Sequence, residues 1–352
     1  MNKTSILKTG LDLLFYSGLS NAFAAPCRGI GAIFMLHHIH PGADEPGGFA
    51  PNAELEVTPE FLAEVIRFAK VSGYDLISLG DAVERLKSGN SGERPFAVFT
   101  IDDGYRDNHE HAWPVFRELN CPFTIFISPA ITDGVCELWW RGLEALIAGT
   151  PHLSVDVGDQ HFELDTLSDA QKTHAFDKLY WPVRQLPEQH QRAWIRTICA
   201  DHGISMDALC RSAAMTWDEV RDIASDPLCT IGAHTINHYA VARLDPADVI
   251  AEAEQSRDRI EQELGTRPDF FAYPYGDETS AGPRDFELIR QAGFTAAVTT
   301  RKGMMFPEHK DHLTALPRVS LNGGYQKLRY VDVLLSGTAF AIWNGFKRVK
   351  AA

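Results

Sequence analysis

The fold this sequence predicts is α/β, an irregular (β/α) barrel. Three observations carry it. Apolar runs alternate with helix-like runs along most of the 352 residues, a pattern that implies parallel strands joined by right-handed crossovers. Roughly eight strand-like runs occur, the number that closes a full (β/α) barrel. Four apolar runs end in residues of catalytic type: His37-His38, Asp102-Asp103, His234 and the stretch YPYG at 273–276. In a barrel such ends meet around one mouth.

The elements follow in order. Residues 32–39 (AIFMLHHI) predict a strand ending in two histidines. Residues 58–73 predict a helix, with Thr58 as N-cap, Pro59 in the first turn and Gly73 as stop. A strand at 74–79, a helix at 78–89 ending at Gly89, and the strand FAVFTI before Asp102 come next. A helix around HAWPVFREL leads to the strand at 122–128. Between 136 and 212 the alternation breaks, and we expect a helical insertion. It resumes at 216–225, where Thr216 and Glu219 have the spacing of a capping box. A strand at 229–234, a helix at 245–265 closed by Gly265, the strand DFFAYPYG, the helix PRDFELIRQAG and the strand FTAAVTT complete the series. The expected organisation is an N-terminal amphipathic helix (1–29), a catalytic domain (30–324) and a C-terminal helix with a basic end (325–352).

The bulk numbers narrow the function. With 45% hydrophobic residues the chain has ample material for a core. Its net charge of −14 opposes a nucleic-acid partner. The six cysteines form no C-x-x-C pair and fit reduced thiols. At the N-terminus Asp12, Gly10, Ser17 and Gly18 interrupt the apolar stretch. Ile6, Leu7, Leu11, Leu14 and Phe15 fall at helical spacing, so an amphipathic helix fits better than a secretory signal. The chain is therefore expected in the cytoplasm, or peripheral to the inner face of a membrane. Both terminal segments fit contact with a membrane surface, although the plainer reading is two helices covering the barrel.

Two adjacent acids after an apolar strand need compensation, because unpaired buried charge costs several kcal/mol. His234 and His238 lie four apart. If the chain turns helically there, both imidazoles face one way and suit one metal ion, with a carboxylate as third ligand. One acid of the pair can then bind the ion while the other stays free as a general base. An Asp-rich turn and a chance H-x-x-x-H are the plainer alternatives.

In that order, FTIDDGYRDN, GAHTINH and FFAYPYG resemble the NodB-homology polysaccharide deacetylases, carbohydrate esterase family 4. The likeness spans about residues 30–320 apart from the insertion. It implies a distorted (β/α) barrel short of eight repeats. It also implies Asp102 as base, Asp103, His234 and His238 as metal ligands, and the Tyr275 backbone N–H, beside Pro274, as oxyanion donor. Zinc is the default ion, with cobalt, nickel and manganese as alternatives. Two features depart from the family. Ala272 stands where many members carry an arginine that holds the base, and Arg318 at another strand end is the candidate replacement. The C-terminal Leu-His motif that often carries the general acid is missing, leaving His309, His312, His37 and His38 as candidates. For substrate contact the candidates are His37, Tyr105, Pro274, Trp139 and Trp140.

The resemblance implies a metal-dependent hydrolase that removes N-acetyl groups from N-acetylglucosamine-containing glycans. An O-acetyl esterase or a deformylase would share the site. A catalytically weakened carbohydrate-binding protein is the reading from outside enzymology.

Overall fold

The structure, a computed structural model, describes residues 3–42, 47–89, 92 and 94–351. Seven parallel strands form a closed barrel: β1 (Gly31–Leu36), β2 (Phe96–Ile101), β3 (Phe123–Ile127), β4 (Cys229–Ala233), β5 (Phe270–Ala272), β6 (Ala296–Lys302) and β7 (Leu316–Ser320). Around the barrel the order is β1-β7-β6-β5-β4-β3-β2, and β2 returns to β1 with Gly31 opposite Phe96 and Leu36 opposite Ile101. The expected distorted barrel is therefore present, with seven strands in place of eight. The run at 74–79 shrinks to an edge pair, Asp75–Leu76, beside the start of β2. Ser78 instead caps the next helix, Leu79–Ser88, through a capping box with Asp81.

The strands alternate strictly between two cores, as their period of two requires. Ile33, Phe96, Val98, Phe270, Ala272, Val298 and Leu316 fill the lumen, together with Leu79, Val83 and Leu86 of the helix that closes its floor. Phe34, Phe99, Ile101, Phe271 and Val319 face outward against Leu62, Val65, Val220, Val249 and Ile289 of the surrounding helices. Every buried aliphatic side chain contributes about 1.5–3 kcal/mol by leaving water, so a one-residue slip of β2 would disrupt both cores at once.

The insertion has its own core of Leu143, Ile147, Leu179, Val183 and Ile195. It contains helices Trp139–Gly149, Asp169–Gln185, Glu188–Asp201 and Met206–Ala213, but also an antiparallel hairpin, His152–Val157 with Gln160–Asp165. The wholly helical expectation was incomplete. Leu153, Val155 and Val157 alternate with exposed polar residues, and the Gly158-Asp159 connection is a two-residue hairpin loop with Gly158 at φ 60°.

The N-terminal segment is three helices, Lys3–Tyr16, Leu19–Ala22 and Ala24–Cys27, and the C-terminal one is two, Leu328–Leu335 and Thr338–Trp343, broken at Gly337. Residues 1 and 2 of the expected N-terminal helix lie outside the described residues. Leu11 is buried in the outer core, and Asp12 pairs with Arg329 at 2.7 Å, so the two termini pack on each other. All six cysteines are free.

Candidate active site

The polar mouth continues the lumen face. Phe96, Val98 and Thr100 point inward along β2, and Asp102 is the next inward position. By the same count His37 follows Ile33 and Met35 in β1, His234 follows Gly232 in β4, and Arg318 follows Leu316 in β7. Period-two geometry thus delivers four functional side chains from four strands into one layer.

Asp102 is buried and accepts two hydrogen bonds from Arg318, Nη1 to Oδ1 at 2.7 Å and Nη2 to Oδ2 at 2.6 Å. Such a fork fixes a carboxylate in orientation as well as charge. Arg318 is itself held in place, with Nε donating to the Thr299 carbonyl and Nη1 also to Thr100 Oγ1. Burial alone would raise the Asp102 pKa, but the guanidinium outweighs it and holds the carboxyl below its usual range. Ala272 occupies the lumen position on β5, and its carbonyl accepts a hydrogen bond from His234 Nδ1 at 2.7 Å. The arginine that supports Asp102 therefore comes from β7 and not from the Ala272 position on β5.

Asp103 points elsewhere because its backbone is left-handed, with φ 77°, followed by Gly104 at φ 81°. Its Oδ1 faces His234 Nε2 at 3.2 Å and His238 Nε2 at 3.1 Å. The three ligand atoms lie within 4.8 Å of one another, and all three residues are buried. Since the Ala272 carbonyl can only accept, His234 carries a proton on Nδ1, and Nε2 is the ring atom that faces Asp103. Burial pushes the His238 pKa down to about 4, so it is a neutral imidazole near pH 7. One carboxylate and two imidazoles converging from buried positions fit a divalent cation. The helical turn expected between the histidines does not form. Thr235 and His238 instead adopt φ 54° and 57°, and the loop brings the rings to 5.0 Å between centroids.

Tyr275 is also left-handed, with φ 62°. Its carbonyl accepts from Thr300 Oγ1 at 2.6 Å. Tyr275 borders the cavity, and among the described residues nothing accepts a hydrogen bond from its N–H. Among the described residues, four of the six non-glycine positions with positive φ, namely Asp103, Thr235, His238 and Tyr275, belong to this site. Such strain persists only where surroundings enforce it, and it clusters at functional sites.

Much of that enforcement comes from the insertion. Trp139 Nε1 donates to Tyr275 Oη at 2.8 Å, and the Arg184 guanidinium lies over the Tyr275 ring at 3.7 Å. Arg192 Nη2 donates to the His238 carbonyl at 3.0 Å. Glu188 stands between the two arginines, 3.6 Å from Arg184 and 3.8 Å from Arg192, all three buried. The resulting cavity, about 260 Å³, is bordered by His37, Asp102, Asp103, His234, His238 and Tyr275. Trp140, Tyr180, Trp181 and Arg184 of the insertion and Asn52, Glu54 and Asp277 of nearby loops complete it.

The sequence model for polysaccharide deacetylases matches residues 89–297. The chain belongs to the polysaccharide deacetylase family. Solved structures with the same fold include a Streptococcus pyogenes deacetylase, PplD, in complex with acetate (14% identity, TM-score 0.54, covering 83% of this chain and 92% of that one). They also include a de-N-acetylase from Aggregatibacter actinomycetemcomitans (12%, 0.54, 86% and 98%) and IcaB from Ammonifex degensii (17%, 0.52, 87% and 96%). A comparison with curated proteins found no sequence match.

Within this deacetylase fold, Asp102, Asp103, His234, His238, Tyr275, His37 and Trp140 converge on the cavity, and Arg318 stands buried behind Asp102. Trp139, Tyr105 and Pro274 do not border it. Trp139 is fully buried and acts on Tyr275 from behind. Tyr105 is stacked on His38 at 3.7 Å, and burial with the nearby Asp103 carboxylate pushes its phenol pKa well above the usual range. Of the histidines considered as proton donors, His38 pairs with Asp107 at 2.6 Å. His309 is buried against the Phe306 backbone, and His312 borders a separate surface cleft. His37 alone of these four stands at the site, with Nε2 3.9 Å from Asp102 Oδ2. Burial lowers its pKa, partly offset by the two aspartates. Arg184, Arg192, Tyr180 and Trp181 were missed. They lie on helices at ordinary surface-like spacings, and no motif marks them.

Proposed function

We propose that this protein is a metal-dependent hydrolase that removes N-acetyl groups from N-acetylglucosamine-containing glycans, releasing acetate and a free amine. The observation that carries the reading is the placement of two differently supported carboxylates around one cavity. Asp103 turns one oxygen to two imidazoles, while Asp102 is kept ionised by Arg318 and has no part in the ligand set.

Asp103, His234 and His238 would hold the ion. When bound, it would supply Lewis acidity to the acetyl carbonyl and to the attacking water. Asp102 takes the proton from that water, in an orientation fixed by the Arg318 fork. The Tyr275 N–H donates to the oxyanion as the carbonyl becomes tetrahedral. His37, with Nε2 3.9 Å from Asp102 Oδ2, takes that proton on from Asp102 and gives it to the leaving nitrogen. Trp140 and Trp181 offer aromatic faces to the sugar. Zinc is the ion we propose, on the strength of the Asp-His-His donor set.

The test is acetate release from a panel of N- and O-acetylated glycans, with and without a chelator. Release from N-acetylated oligosaccharides that a chelator abolishes and zinc restores supports the reading. Release from O-acetylated xylan alone would make the protein an esterase with the same site.

A further inference from the structure

Eight of the twelve large apolar side chains that stand exposed among the described residues belong to the two chain ends: Ile6, Leu13, Tyr16, Leu19, Phe23, Ile342, Trp343 and Phe346. Chance does not gather them so, because these segments form a small part of the chain. Ile6, Leu13 and Tyr16 fall on one side of helix Lys3–Tyr16, while Leu7, Leu11, Leu14 and Phe15 face the barrel. The helix is thus apolar on both sides, and only one side has a partner. Helix Thr338–Trp343 touches both short N-terminal helices. Phe23, Phe340 and Phe346 border a common groove of about 300 Å³ with Lys347 and Arg348 at its rim. Trp343 is 62% exposed and Phe346 76%, and Lys302 Nζ lies 4.4 Å from the Trp343 ring centroid.

Charge separates the same segments from the rest of the molecule. Residues 1–37 carry three cations and one carboxylate, and residues 333–352 carry three cations and none, in a chain of net charge −14. An apolar, aromatic-rich surface bordered by lysine and arginine on an otherwise acidic protein complements an anionic bilayer. No helix of the described residues is long and apolar enough to cross a membrane, so the fitting geometry is one of lying in the interface.

We propose that the paired termini form a peripheral membrane-docking surface for anionic phospholipid, with Phe23, Trp343 and Phe346 entering the acyl boundary and Lys347 and Arg348 meeting headgroup phosphates. The proposal does not depend on the chemistry of the barrel.

The experiment is flotation of the full chain with phosphatidylglycerol-rich vesicles and with pure phosphatidylcholine vesicles, at low and high salt. The intact protein is expected to float with the anionic vesicles and to bind the neutral ones at least roughly tenfold more weakly. The double variant Trp343→Ser/Phe346→Ser and the charge variant Lys347→Glu/Arg348→Glu should each lose about tenfold in binding, with thermal unfolding unchanged. Should the first variant misfold, the second alone decides, since both its side chains are exposed. Failure of the intact protein to float overturns the proposal, as does flotation indifferent to lipid charge and to the Lys347→Glu/Arg348→Glu change. A dimer in light scattering that Trp343→Ser/Phe346→Ser separates into monomers also overturns it, because the face would then be covered by a second copy.

Discussion

The barrel and the insertion build the two halves of the site by different physics. The barrel supplies Asp102, His234, His37 and Arg318 from positions that the strand period dictates. Their backbones need no unusual conformation, and their charges are balanced within the lumen. The insertion supplies no ligand and no base. It holds in place two loop residues, His238 and Tyr275, whose left-handed backbones would not persist alone. The barrel therefore sets which groups are present, and the insertion sets how accurately the loop-borne ones are held.

The largest expected effects fall on the barrel half. Asp102→Asn keeps the shape and removes the proposed proton acceptor. The expected loss in kcat is at least about 100-fold, with metal content by elemental analysis unchanged. Near-normal turnover in that variant would remove Asp102 from the base role. Arg318→Met leaves the Asp102 carboxylate buried without its counter-ion, a loss expected to cost about 3–5 kcal/mol of stability in chemical denaturation. Arg318→Lys restores the charge but not the fork, so it should recover most of the stability and only part of the activity.

A smaller effect tests the insertion half. Arg192→Met removes the donor to the His238 carbonyl without touching a metal ligand. If the insertion holds the ligand loop, metal affinity measured by competition with a chelator should fall about tenfold, in the range seen when outer-shell support is lost. If the barrel suffices, stability changes and metal affinity does not. Trp139→Phe probes the oxyanion side. It leaves the Tyr275 hydroxyl without its indole partner inside the protein, at a cost of about 1–3 kcal/mol, and kcat should drop while metal affinity stays.

The same division explains what the sequence made legible. FAVFTIDDGY and GAHTINH each announce a strand by its apolar run and a functional group by the polar residue that ends it, whereas Arg318 lies in the middle of β7. Asp102, Asp103 and His234 could be nominated on that ground, while the gap at Ala272 and Arg318 as its replacement followed from the family resemblance. The turn of Asp103 away from Asp102 was not legible, because a left-handed aspartate has no sequence signature. Trp139 looked like a substrate wall since composition does not reveal which face of a helix is buried. Arg184, Glu188 and Arg192 fall at i, i+4 spacing, which in sequence resembles any solvated helix face. Only the docking of the helix against Tyr275 and His238 makes them part of the site. The hairpin at 152–165 was legible in its alternation and was overlooked.

That hairpin gives the smallest expected effect and a boundary for the comparison, because it belongs to the insertion but lies outside the cavity. His152 contacts Asp165 and Glu163, and His161 contacts Asp156 and Glu163, each at 2.7–3.0 Å on an exposed face. The carboxylates raise both histidine pKa values above the ordinary 6.5, while Ser154 and the two imidazoles lower Glu163 to about 2. The sign follows from linkage. The histidine contribution is complete below pH 6.5 and is lost as pH rises through the raised values. The Glu163 contribution is complete above its ordinary 4.5 and is lost as pH falls toward about 2. The pairing is therefore fullest between about pH 4.5 and 6.5. Proton NMR should place both histidine midpoints above 6.5, and Glu163→Gln should lower both. Turnover should be unchanged in that variant, since the hairpin reaches neither His238 nor Tyr275. A loss of turnover would mean that the insertion transmits strain from its far edge, and that Arg184 and Arg192 are not where its influence on the site ends.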